Sequence, residues 1–143
     1  MSPRNLILIF GILEILVGSV ALVHPESILH WLFGVTKVSI AKIFARTFES
    51  SSDAFVLVVV RLFGAGIVSL GLVCLKARDD LMSPAGKGVM YGFTCYNVLA
   101  ALVIIWAGLA TGLGGVLWWL AGLGHGILGF LFVQNILKAR NNL

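Results

Sequence analysis

Four ionisable or amide side chains stand near the middles of four long apolar segments, one to a segment: Glu14, Arg61, Asn97 and His125. Polar groups in hydrocarbon are costly, so they face a bundle interior and mark a pathway, a ligand or a partner. Two kinds of chemistry fit these residue types. Glu14 and Arg61, on adjacent antiparallel helices, could form an ion pair that fixes helix register, with Asn97 and His125 as hydrogen bonds between helices. Alternatively, Arg61 could hold an anionic or carbonyl group in a cavity while His125 or Glu14 handles a proton. The first reading is preferred, and it predicts that Arg61→Leu destabilises the fold while adding Glu14→Leu recovers much of the loss.

The segments that carry these groups follow from hydropathy. The chain has 143 residues, 59% of them hydrophobic and 11% charged, with a mean hydropathy of +1.05. Soluble domains carry roughly a quarter of their residues charged, so that class is excluded. A bilayer core near 30 Å needs about 20 helical residues, and four apolar runs qualify, at 6–23, 54–75, 89–109 and 116–133. The expected fold is an all-α, four-helix transmembrane bundle forming a single domain over 1–143. Arg4 and the triplet Ser19-Val20-Ala21 give the first run a signal-peptide look. Glu14 in its middle argues for a retained helix.

Lys and Arg lie outside the runs in short clusters. Six (Arg4, Lys76, Arg78, Lys87, Lys138, Arg140) fall on the side shared by both termini and the second loop, against three (Lys37, Lys42, Arg46) on the other. That bias places both termini on the cytoplasmic or equivalent side. It also accounts for the net charge of +4 as topology control. No basic face has room for a nucleic-acid strand.

The first loop carries elements of its own. His24-Pro25-Glu26-Ser27 reads as a helix start, with proline early and an acid in the first turn, and the apolar turn that follows stops at Gly34. Ile40, Ile43, Phe44 and Phe48 then share one face opposite Lys37, Lys42, Arg46 and Glu49, as in a helix lying in the membrane interface, so the interfacial helical loop is expected over about 25–49. Trp106, Trp118 and Trp119 flank a tight third turn at Thr111-Gly112-Leu113-Gly114-Gly115, as an aromatic belt would.

Each mid-segment polar group lies on a stripe of small residues three or four positions away: Gly11 and Gly18 for Glu14, Gly64 and Ala65 for Arg61, Thr94 and Ala101 for Asn97, Ala121, Gly122 and Gly129 for His125. Small residues let membrane helices approach closely, so these stripes should face neighbouring helices. His24 and His30 are six apart and share no face, Cys74 and Cys95 form no C-x-x-C, and no metal site or cofactor is expected.

The short glycine-punctuated first helix, the His24-Pro25 that follows it, and the run Arg61-Leu62-Phe63-Gly64-Ala65-Gly66 leading to Leu70-Gly71-Leu72 together resemble the DoxX-like group of small four-helix membrane proteins. The resemblance covers about the first half of the chain. It implies a four-helix bundle and, from members associated with quinone-linked oxidoreductases, contact with an amphipathic ligand or a redox complex. It transfers no catalytic residue.

Two functions are weighed. The preferred one is an accessory or scaffold subunit of a larger respiratory or photosynthetic membrane complex, or a homo-oligomer. The alternative is an enzyme or carrier that binds a lipid-, quinone- or sterol-like molecule at the polar layer. No residue set nominates a reaction.

Overall fold

The computed structural model describes residues 2–33, 53–111 and 115–141. Helix α1 spans Pro3–Val23, α2 Pro25–Phe33, α3 Asp53–Ala77, α4 Pro84–Thr111 and α5 Val116–Asn141. The fold is an all-α bundle, and α1, α3, α4 and α5 are each long and apolar enough to cross a membrane. Their outer faces fit that solvent. Leu62 and Trp106 are each 68% exposed, and large apolar side chains stud every long helix, a surface that water would not tolerate. The protein is a small integral membrane protein.

All four long helices contain the expected runs and overrun them, because hydropathy finds the greasy centre of a helix and misses its capped ends. At the start of α1, Pro3 follows Ser2, whose hydroxyl accepts from the Asn5 amide at 3.3 Å. Ser83 does the same before Pro84 in α4, accepting from the Gly86 amide at 3.0 Å. Both are side-chain caps for orphan amides, with proline where no amide is needed. α1 stops at His24, whose amide donates to Val20 at 2.8 Å, and Pro25 then opens α2 as the sequence predicts. The remainder of the first loop, including the amphipathic stretch at 40–49, lies outside the described residues.

The long helices associate in two antiparallel pairs, α1 with α3 and α4 with α5. Glycines make the first seam. Cβ atoms built at Gly11 and Gly71 would each come within 3.0 Å of the other's carbonyl oxygen, and the same holds for Gly18 and Gly64. Backbones touch there because no side chain intervenes. In the second seam Trp118 and Trp119 lie over Gly108, and Gly122 and Gly129 face Ile104 and Val98. Trp118 therefore acts as more than a belt residue: its Nε1 donates to the Ile104 carbonyl at 2.9 Å.

The two pairs touch each other sparsely along their length. Their main junction is a buried cluster of Leu6, Ile7, Phe10, Cys74, Met90, Phe93 and Phe132, at the end where α1 and α4 begin. Phe10 is its hub, meeting Phe93 edge-on at 4.9 Å and Phe132 at 6.0 Å between centroids. Toward the opposite end α2 joins the pairs, packing on α1, α3 and α5. Its Leu32 carbonyl accepts from the Gly115 amide at 3.2 Å.

Candidate functional site

Three of the four expected polar groups come together at mid-depth. Glu14 is the twelfth residue of α1, roughly 13 Å from that helix's last residue. It is 7% exposed and lies on the Gly11–Gly18 stripe, with Cys74 and Tyr96 as ionisable neighbours within electrostatic reach. Asn97 is fully buried. Its amide nitrogen donates to the Phe93 carbonyl at 2.9 Å, and its amide oxygen lies 2.9 Å from His125 Nδ1. With Nδ1 as the donor of that contact, Nε2 is the nitrogen left to accept. The Tyr96 ring meets the His125 ring edge-on at 5.6 Å and the Phe10 ring at 6.4 Å, joining the Asn97–His125 pair to the α1 face that bears Glu14.

Arg61 is not in this layer, and the intramembrane ion pair with Glu14 does not form. Among the described residues the ion pairs are Arg4–Asp79 and Arg78–Asp79. Gly11 faces Gly71 and Gly18 faces Gly64, so Glu14 stands level with Val68, while Arg61 stands level with Ala21, roughly 10 Å further along the seam. The reason is an axial offset. α3 has 25 residues against 21 in α1 and overshoots the end of α1 by about two turns, so depth counted from α3's own start places Arg61 too deep. At its true level Arg61 is exposed and its Nε donates to the Leu22 carbonyl at 3.3 Å. That carbonyl is one of the last four of α1, which have no acceptor role inside the helix. A cation there also meets the negative end of the helix dipole.

The corrected role changes what Arg61→Leu should do. Losing a single cap bond costs about 1 kcal/mol, and because Glu14 is not its partner, the Glu14→Leu/Arg61→Leu double variant should show additive effects within about 0.5 kcal/mol. A double-mutant cycle in detergent, read by chemical unfolding, checks this. A double variant more stable than the sum of the two single effects by well over about 0.5 kcal/mol would restore the ion pair.

Glu14 itself makes no hydrogen bond and no ion pair among the described residues. Tyr96 is the member that sequence reading missed. It neighbours Asn97 in an otherwise apolar stretch, and a hydroxyl in mid-span was the available signal. The assembled group therefore offers a carboxyl, a phenol and an imidazole oriented by an amide, enclosed by aromatic side chains. It can give and take hydrogen bonds from a polar group in hydrocarbon, or pass a proton among oxygen and nitrogen atoms.

Comparison with protein-family models, with curated proteins and with solved structures finds no match for this chain.

Proposed function

We propose that this membrane protein binds the polar end of an amphipathic, lipid-, quinone- or sterol-like molecule at mid-depth between its two helix pairs, as a carrier or enzyme. One observation carries the reading: Glu14 is almost fully buried with no partner of its own among the described residues. A buried polar group that satisfies nothing is expensive, and the structural explanation for keeping it, a register-fixing pair with Arg61, does not hold. Glu14 is then the group that accepts from a hydroxyl or amine, or donates to a carbonyl, with Tyr96 and the Asn97–His125 pair beside it. The sparse contact between the pairs supports the same reading, since a guest can part them without opening either glycine seam. The DoxX-like resemblance, with its quinone-linked members, points the same way.

Mass analysis of an organic extract of purified protein tests this. The wild type in mild detergent should release a hydrophobic molecule bearing a hydroxyl, carbonyl or amine in near-equal amount to protein. Glu14→Leu, folded and equally pure, should release at least tenfold less. Matching background levels from both would overturn the proposal.

A second reading, the accessory subunit or homo-oligomer, is favoured by Gly88 and Gly92. They lie one turn apart on α4, and a Cβ at either would meet nothing within 4 Å, whereas the seam glycines are all occupied. Such a spacing accepts a helix from another chain. In native gels from mild detergent the wild type should migrate with a companion or as a dimer, and Gly88→Leu/Gly92→Leu as a lone species. A wild type that runs alone removes this reading. We further propose, from the Lys and Arg distribution, that both termini face the cytoplasmic or equivalent side; protease protection of terminal tags in sealed vesicles reads that directly.

A further inference from the structure

A separate polar assembly lies where α1 and α4 begin and α3 and α5 end. A cavity of about 420 Å³ opens there, lined by the cationic side chains of Arg4, Arg78 and Lys87 and by the single carboxylate of Asp79. Asp79 is shared, with Arg4 Nη2 at 2.8 Å from one oxygen and Arg78 Nε donating to the other at 3.2 Å. One carboxylate thus holds two guanidinium groups side by side and neutralises one charge. With Lys87 added, the lining keeps a surplus of two positive charges. Ser2 and Pro3, the capped start of α1, also border the cavity, and the positive end of a helix dipole favours an anion there.

Apart from Asn135, whose amide nitrogen donates to the Leu131 carbonyl at 2.8 Å, the rest of the wall is largely apolar. Met90 belongs to the buried core, and Leu81 and Ile136 line the cavity beside it. Tyr91, exposed on the outer face of α4, carries the wall about two turns into the span. A cationic mouth at the ends of four spans, continuous with greasy walls that run toward hydrocarbon, matches a molecule whose charge and chains are similarly divided. A hydrated free anion would leave the apolar part of that wall uncovered.

We infer that this cavity holds the headgroup of an anionic phospholipid, with the phosphate between Arg4, Arg78 and Lys87 and the acyl chains along the Tyr91 face of α4. The residues are distinct from those at mid-depth, so the inference stands or falls independently of the guest proposed there.

Native mass spectrometry of the full chain released from nanodiscs tests it, with phosphatidylcholine alone or mixed with phosphatidylglycerol as probes. The wild type should retain one phosphatidylglycerol and not phosphatidylcholine. Each cationic residue near a lipid surface is worth about fivefold in binding, so Arg4→Gln/Lys87→Gln should retain roughly thirtyfold less. Lys76→Gln/Lys138→Gln removes the same charge outside the cavity and should keep wild-type retention. Lys87→Gln alone, at an exposed position, should still show about a fivefold loss if the double variant folds poorly. Equal losses from the two double variants would reduce the effect to diffuse attraction and overturn the site. Release of the lipid by millimolar inorganic phosphate would overturn it too, in favour of a soluble anion.

Discussion

Gly71→Val is expected to take apart the α1–α3 pair. A Cβ at position 71 would meet the Gly11 carbonyl oxygen at 2.6 Å, Ile15 Cγ1 at 2.7 Å and the Ile15 amide nitrogen at 3.0 Å. Two of these are backbone atoms of α1 and cannot rotate aside, so the helices must separate. Separation is not local, because Gly11, Gly18 and Gly64 hold the same close approach along the seam and all would lose contact together. Overpacking one site in a core costs typically about 1–3 kcal/mol; with a whole seam displaced, the loss should reach the top of that range. Reversible unfolding in mixed micelles measures it. Gly66→Ala is the control, since nothing lies within 4 Å of its added methyl, and it should lose nothing. Wild-type stability in Gly71→Val would mean that this seam is not what joins the two helices.

Glu14→Leu should have the opposite sign. Leucine has nearly the volume of glutamate, and the carboxyl it removes has no hydrogen-bond partner among the described residues. Burying an unsatisfied polar group costs about 1–3 kcal/mol by protein mutational data, and the variant should regain about that much in the same unfolding assay. Glu14→Gln, which keeps a polar end, should fall between. A stabilising substitution at a position that the proposed guest requires is the usual signature of a site kept for function at the expense of the fold. If Glu14→Leu is instead less stable than the wild type, the carboxyl has a structural partner and the ligand reading loses its main support.

The contrast between Glu14 and Arg61 defines how far this sequence can be read. Both are single charges in apolar runs, both have glycine three or four residues away, and both lie about equally far inside their own segments. Nothing local separates them. What does is the sliding of α3 along α1, fixed by which glycine meets which: Gly11 with Gly71, Gly18 with Gly64. That register turns Arg61 into a cap on the last turn of α1 and leaves Glu14 alone at mid-depth. Tyr96 was hidden for a related reason. A residue beside Asn97 in sequence points about 100° away around the helix, and it enters the layer because α4 meets the α1–α3 pair as well as α5. The basic cavity was illegible in the same way, since Arg4 at the N-terminus and Arg78 and Lys87 in the second loop read as topology signals until the bundle gathered all three at one cavity.

The sequence alone determined that this chain crosses a membrane as four helices, that a short helix opens at Pro25 in the first loop, and which faces carry small residues. Those properties are set by composition and by the 3.6-residue period, and both act within a single segment. Only the tertiary structure decided that the helices form two pairs joined by an aromatic cluster, that Glu14 and Arg61 stand about 10 Å apart, and that three cations share one cavity. In hydrocarbon every helix already satisfies its own backbone, so hydropathy leaves axial offset undetermined. Steric fit between glycine and its neighbours across the seam fixes that offset, and it exists only once two helices meet.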